Sequence, residues 1–154
     1  MNRDRLTTGF TWGIAATIVM SIPMLIGFVS GVAPMPRPIP IAVASLLVGT
    51  AAKPVLIVVA LTAHLLYGGV LGAVLFWAVD PVTIRRALGY VVLVWIVMGV
   101  VVLPLAGWGF FGTAVTPKIV VATLLLHLVY GTTIGWLGTR GEPPNPITLA
   151  SSSS

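Results

Sequence analysis

Long apolar stretches, separated by short polar or proline-rich segments, dominate this chain. Four of them reach the length that a helix needs to cross the hydrocarbon core of a bilayer, which is about 20 apolar residues. They cover residues 9–28, 54–79, 87–107 and 117–138. The first stretch is also longer than the apolar region of a signal peptide, which has about 7–15 residues. The pattern therefore predicts four uncleaved transmembrane helices.

The segment between the first and second spans predicts a different structure. Pro34, Pro36, Pro38 and Pro40 disfavour a helix and favour an extended polyproline path. Residues 41–52 are apolar, but they are too few to cross a membrane. We expect a short helix here that lies in the membrane interface or re-enters it.

Domain organisation follows from the same pattern. Residues 1–141 contain all four spans and form one predicted transmembrane domain. Residues 142–154 contain Pro and Ser and no aromatic residue, so that we expect a disordered tail. The predicted fold class is an all-α membrane protein.

Composition excludes a soluble globular protein. Hydrophobic residues make up 58% of the 154 residues and charged residues only 7%, whereas soluble domains carry about 25% charged residues. The net charge is +5, but the basic residues occur singly or in pairs. That distribution favours membrane-border signals over a nucleic-acid interface. The lipid bilayer is therefore the expected environment, and no nucleic-acid partner is expected.

The distribution of lysine and arginine predicts the orientation in the membrane. Five residues lie on the side of the two termini and of the loop at 80–86, namely Arg3, Arg5, Arg85, Arg86 and Arg140. Three lie on the other side, namely Arg37, Lys53 and Lys118. Cytoplasmic segments carry the excess of positive charge. We therefore expect a multi-pass protein of the cell (plasma) membrane with both termini in the cytoplasm.

One motif occurs twice at a constant offset, in the second and fourth spans. Both copies read P-x9-H-L-x-Y-G-x3-G. The first copy contains Pro54, His64, Tyr67, Gly68 and Gly72, and the second contains Pro117, His127, Tyr130, Gly131 and Gly135. An internal repeat of two spans predicts two tandem helical hairpins, related by an axis along the membrane normal. The two histidines then lie at equal depth on parallel helices.

Spacing within the motif favours helix packing. His, Gly and Gly at positions i, i+4 and i+8 share one stripe of a helix, and the Tyr at i+3 lies beside it. Glycines on such a stripe allow another backbone, or a flat ligand, to approach closely. We interpret His64, Tyr67, Gly68, Gly72, His127, Tyr130, Gly131 and Gly135 as a helix-packing motif with polar intramembrane groups.

Two alternatives to pure packing remain open at this point. His64 and His127 have the spacing to ligate one b-type haem from both faces. A small oligomeric transporter or channel is the other alternative, because ionisable groups within a membrane often serve transport. All three carboxylates, Asp4, Asp80 and Glu142, lie outside the spans, which leaves a proton relay without carboxylate members.

Enzyme chemistry is disfavoured by what the sequence lacks. It contains no Cys, no paired carboxylate and no phosphate-binding Gly-Lys-Ser loop. We therefore expect no catalytic residues and no metal site, and in the main interpretation no cofactor.

The two blocks His64–Gly68 and His127–Gly131, together with the loop Leu103-Pro104-Leu105-Ala106-Gly107-Trp108-Gly109-Phe110, carry a resemblance. The chain resembles a family of small four-span membrane proteins of unknown function, frequent in halophilic archaea and also present in bacteria. The likeness covers roughly residues 9–138. The resemblance implies four spans and no assigned activity, and it supplies no catalytic residues.

The predicted function is that of a non-enzymatic integral membrane protein. We expect a helix-packing accessory subunit that associates with other membrane subunits of a larger complex, or with itself. The resemblance points to a respiratory oxidase assembly as one candidate for that complex.

Overall fold

Five helices form the described part of the chain. The computed structural model describes residues 3–49 and 51–141, and the predicted disordered tail at 142–154 lies outside them. The helices are α1 (Arg3–Val29), α2 (Ile39–Val48), α3 (Lys53–Ala78), α4 (Ile84–Leu105) and α5 (Lys118–Gly141). A short 3-10 turn, Phe110–Gly112, lies in the α4–α5 connection. No strand occurs among the described residues.

Helices α1, α3, α4 and α5 are long and apolar enough to cross a membrane. The prediction of an all-α, four-span membrane protein is therefore confirmed at that level. The helix ends differ from the predicted spans by a few residues. The largest difference is at α1, which begins at Arg3 because the polar N-terminal residues continue the helix, with Asp4 in its first turn. A carboxylate at this position stabilises the helix through its attraction to the positive end of the helix dipole.

The segment before α3 is partly helical, as expected, but its helix lies slightly earlier than the sequence suggests. It begins at Ile39 and includes Pro40 in its first turn. The expectation of an extended path through Pro40 was wrong, because proline lacks only an N–H that is unpaired in a first helical turn anyway. Ala42 and Ala44 on α2 are buried. This helix therefore packs on the bundle.

Contacts between helices establish their directions. Gly13 of α1 meets Gly68 of α3, whereas Arg5 of α1 reaches Phe76 at the far end of α3. These two helices are therefore antiparallel. Gly131 of α5 meets Val91 of α4, and the later Gly138 meets the earlier Val82, so that α4 and α5 are antiparallel too.

The loop between α3 and α4 makes these two helices neighbours in the chain, and the Tyr90 hydroxyl of α4 donates to the Leu71 carbonyl of α3 at 3.0 Å. Leu71 and Tyr90 lie at similar distances from the turn that joins their helices, as an antiparallel pair requires. With α4 antiparallel to α3 and α5 antiparallel to α4, α3 and α5 run in the same direction.

Direct backbone contact joins α1 and α3. A Cβ atom placed on Gly9 would lie 2.6 Å from the carbonyl oxygen of Gly72, and one placed on Gly72 would lie 2.7 Å from Cα of Gly13. Real Cβ atoms do not approach other heavy atoms this closely, so no side chain fits at these positions. Small residues at such contacts are typical of helix pairs within membranes.

The α4–α5 pair places the corresponding glycines against side chains as well as backbone. A Cβ atom on Gly131 would lie 2.5 Å from Cγ2 of Val91, and one on Gly135 would lie 2.6 Å from Cα of Ile84. The motif glycines of α3 and α5 thus serve the same purpose, which is close packing on the preceding long helix.

Arginine side chains join helix ends at one end of the bundle. Arg5 donates from Nε to the Phe76 carbonyl at 3.1 Å and from Nη2 to the Val79 carbonyl at 2.9 Å. Its Nη1 also pairs with Asp80 Oδ1 at 3.2 Å. Arg86 donates to the carbonyl oxygens of Asp80 and Pro81. These guanidinium groups satisfy carbonyls at and just beyond the C-terminus of α3, which would otherwise lack partners.

Aromatic side chains are divided between the surface and the interior. Trp77 is 67% exposed, and exposed Trp136 lies under the Arg140 guanidinium at 3.9 Å. Both fit a belt at the membrane border. Trp108 is buried, however, and Trp12 and Tyr90 pack against a buried cluster. A position near the end of a span therefore does not by itself place an aromatic side chain on the outer surface.

Glycine contacts generate the first prediction. We expect Gly72→Ala to destabilise the protein by about 1–3 kcal/mol, the usual cost of overpacking, because its methyl group meets the backbone of Gly9 and Gly13. Thermal unfolding in detergent, followed by circular dichroism, measures the effect. Gly89→Ala is the matched control, since nothing lies within 4 Å of a Cβ atom there. Equal stability of the two variants would contradict the packing described here.

Candidate functional site

The bundle contains a partly open cavity of about 310 Å³ that residues of all five helices line. Most of these side chains are apolar. The polar and polarisable residues among them are His64, His127, Tyr67, Tyr130, Thr17, Thr123, Met20, Met24 and Met98. Within residues 3–49 and 51–141, no Lys, Arg, Asp or Glu lines this cavity. The structure thus brings both predicted histidines and both predicted tyrosines to one site.

Helix α2 contributes to this site. Ile39, Pro40 and Val43 line the cavity, and α2 packs against α3. The segment that the sequence places in the membrane interface therefore also shapes the interior of the bundle. Sequence reasoning missed this role, because a short apolar helix gives no signal of what it covers.

The hydrogen bond of His127 defines its protonation. Nδ1 lies 2.8 Å from the carbonyl oxygen of Thr123, one turn earlier on α5. A carbonyl only accepts hydrogen bonds, so Nδ1 carries the proton of the neutral ring. Nε2 is then the nitrogen with a free lone pair. The imidazole of His127 therefore offers the cavity a hydrogen-bond acceptor of fixed orientation.

His64 is less well satisfied. Its Nε2 is buried and has no hydrogen-bond partner among the described residues, a state that it shares with Nε1 of Trp12. A buried polar atom of this kind costs about 1–3 kcal/mol. Such atoms are uncommon in native proteins, and each one requires a reason.

The two tyrosines of the motif have different roles. Tyr130 is buried, and its hydroxyl donates to the carbonyl oxygen of Gly68 at 2.7 Å, which ties α5 to α3. Tyr67 is 48% exposed, and its hydroxyl makes no hydrogen bond within the part of the chain that the structure describes. Because Gly68 is adjacent to Tyr67, the bond also places the two motifs at matching depth.

Motif glycines lie where the packing interpretation places them. Gly72, Gly131 and Gly135 contact the preceding long helices, and Gly68 contacts Thr17 of α1 as well as lining the cavity. The surface that a flat ligand would need one turn from His127 is thus covered by α4, whereas Gly68, one turn from His64, contacts α1 and also lines the cavity. Among the described residues, no lysine or arginine lines the cavity to pair with haem propionates. The residues present therefore do not fit a haem held between His64 and His127.

Lining residues of the two halves match in spacing. Thr17, Met20 and Met24 of α1 have the same spacing as Val91, Val94 and Met98 of α4, and Ala60, Ala63, His64 and Tyr67 of α3 have the same spacing as Thr123, Leu126, His127 and Tyr130 of α5. The α3–α5 pairs follow the offset of the histidine motif. Of the α1–α4 pairs, only Met24 and Met98 are the same residue, so the sequence alone did not reveal this match.

Comparison of this chain with models of protein families, with curated proteins and with solved structures yields no match. The geometry of the cavity and of the helix contacts is therefore what supports a functional proposal.

The unequal tyrosines generate the second prediction. We expect Tyr130→Phe to lower the stability in detergent by about 0.6 kcal/mol and at most about 1.7 kcal/mol, the measured range for hydrogen bonds between membrane helices. Tyr67→Phe is the matched control and should have no effect, because its hydroxyl has no partner to lose. Chemical denaturation of the two purified variants measures both. A larger loss for Tyr67→Phe would contradict the assigned bond.

Proposed function

We propose that this integral membrane protein is a non-enzymatic accessory subunit of a larger membrane complex. The observation that supports this role is its outer surface. Aliphatic side chains cover this surface on every spanning helix. The C-terminal part of α1 alone presents Ile22, Leu25, Ile26 and Val29 at 56–82% exposure. A respiratory complex is one candidate, and self-association is the alternative mode of assembly.

Features of the interior support the same proposal over transport. In the part of the chain that the structure describes, no Lys, Arg, Asp or Glu lines the cavity, and all carboxylate side chains of the sequence lie outside the predicted spans. An ion path through the membrane requires charged or carbonyl-rich constrictions. A conventional transporter or channel therefore receives less support than an accessory role. The resemblance to a small four-span family adds an expectation of the fold and none of an activity.

We also propose that the chain arose as an internal repeat of two helical hairpins, α1–α3 and α4–α5. Matched lining residues and the equivalent glycine contacts support this. Each hairpin places its second helix, through the motif glycines, on its first helix. Parallel repeats of this kind are related by an axis along the membrane normal.

Orientation in the plasma membrane is the third prediction. Arg5 contacts Val79 and Asp80, and Gly138 contacts Val82, so the N-terminus, the α3–α4 loop and the end of α5 share one end of the bundle. Five of the eight basic residues belong to these segments. We expect reporters fused to either terminus to be active only in the cytoplasm. An extracytoplasmic reporter signal at either end would refute this orientation.

Association with partner subunits is the fourth prediction. Each spanning helix presents a leucine of similar exposure, namely Leu25, Leu61, Leu93 and Leu125 at 57–63%. We expect Leu→Trp on one helix to release the co-purifying subunits, because a bulky ring disrupts a packed interface, whereas the other three variants retain them, because lipid accommodates the ring. Affinity purification from native membranes in mild detergent, with identification of the eluted proteins, provides the measurement.

The four leucine variants control for one another, since each makes the same change at a similar exposure. Release of stoichiometric partners by one variant alone supports the accessory role. Elution of the wild-type protein without partners contradicts it. If the released partner is a second copy of this chain, the complex is a self-association.

A further inference from the structure

We propose that the cavity between α3 and α5 binds a lipid-soluble hydroquinone, a flat neutral ring with two opposite hydroxyl groups that hydrogen-bond to His64 and His127. This binding site is independent of the accessory role above and of its outcome. The proposal concerns reversible binding and includes no redox step.

The size and lining of the cavity indicate the class of ligand. Its volume of about 310 Å³ lies at the lower end of the range for small-molecule sites, which is about 300–1,000 Å³. Such sites are mainly apolar and carry a few convergent polar groups. An ionised ligand is disfavoured, because no lining side chain could pair with its charge and burial of an unpaired charge is costly.

The protonation of His127 then selects a hydrogen-bond donor. Its Nδ1 proton is engaged with Thr123, so Nε2 can only accept. A hydroxyl group donates to such a nitrogen, whereas the carbonyl oxygen of a quinone cannot. The reduced, hydroxyl-bearing form of the ring therefore complements the site better than the oxidised form.

The second histidine indicates a second hydroxyl. Nε2 of His64 is buried without a partner among the described residues, and a hydroxyl can donate to it or accept from it in either tautomer. The Tyr130–Gly68 bond holds α3 and α5 at matching depth. Both imidazoles line one cavity from parallel helices, so a single ring with hydroxyl groups at opposite ends can address both.

Thioether side chains complete the surroundings of the ring. Met20, Met24 and Met98 line the same cavity. Methionine sulfur makes favourable contacts with aromatic rings, and its flexible chain fills irregular space. The site thus offers polar groups for two hydroxyls and an adaptable apolar surface for the ring.

A series of four ring compounds tests the proposal on the wild-type protein. Calorimetry under anaerobic conditions in detergent compares tetramethylhydroquinone, its monomethyl ether, its dimethyl ether and tetramethylbenzoquinone. We expect the hydroquinone to bind most tightly. Each hydroxyl group that is replaced by a methyl ether removes one hydrogen-bond donor, and we expect it to weaken binding by about 2- to 12-fold, the effect of one lost hydrogen bond. The quinone should also bind more weakly than the hydroquinone.

Variants then assign the binding to the cavity. We expect His127→Leu to weaken hydroquinone binding and to abolish the preference over the dimethyl ether, whereas His127→Gln retains part of it, because the amide oxygen accepts. Met35→Leu is the matched control, since Met35 is buried but is not among the lining residues, and it should bind as the wild type does. Helix content and elution volume confirm that each variant is folded.

Three results would overturn the proposal. Equal affinity for the hydroquinone and its dimethyl ether would reveal an apolar void without hydrogen-bond selection. Tighter binding of the quinone would contradict the assigned protonation of His127. A red protein with a Soret band that His64→Gln or His127→Gln abolishes would restore the haem alternative. Because the ring series uses the wild-type chain, it remains decisive if a variant fails to fold.

Discussion

Backbone contact between α1 and α3 is the constraint on which the arrangement of this bundle depends. Helices in a bilayer gain little from the hydrophobic effect, because lipid tails are as apolar as leucine, and van der Waals contact between closely fitting surfaces takes its place. Gly9 and Gly13 meet Gly68 and Gly72 so closely that no side chain could lie between them. The register of the two helices is therefore fixed, and it directs His64 into the interior.

Hydrogen bonds between helices build on that register. Tyr130 reaches Gly68 across the interior, Tyr90 reaches Leu71, and Nε1 of Trp95 donates to Oγ1 of Thr123 at 3.0 Å. These bonds join α5 to α3, α4 to α3 and α4 to α5. The Thr123 hydroxyl donates in turn to the Ile119 carbonyl at 2.7 Å. The backbone carbonyl of Thr123 orients the ring of His127 through its hydrogen bond with Nδ1. Many polar groups of the interior are thus satisfied, whereas Nε2 of His64 and Nε1 of Trp12 are buried without partners among the described residues.

Much of this architecture could be predicted from the sequence, and the reason is the length of the apolar stretches. Four spans follow from hydropathy alone, and the histidine motif marks the residues that the structure brings to one cavity. The glycine spacing predicts a packing face but not its partner, because spacing within one helix contains no information on the neighbouring helix. Trp108 illustrates the same limit. Its position at a span end suggests the membrane border, whereas its burial depends on a loop that folds back on the bundle. The cavity itself could not be predicted, since empty volume is a property of how five helices fit together.

The contacts of Arg5 have a consequence for biosynthesis. The side chain can reach the Val79 carbonyl and the Asp80 carboxylate only when the start of the first span and the end of the second emerge on the same face of the bilayer. A nascent chain with the first span reversed would leave the guanidinium and its acceptors separated by the hydrocarbon core. These contacts, which close the first hairpin, can therefore form only after synthesis has passed Asp80.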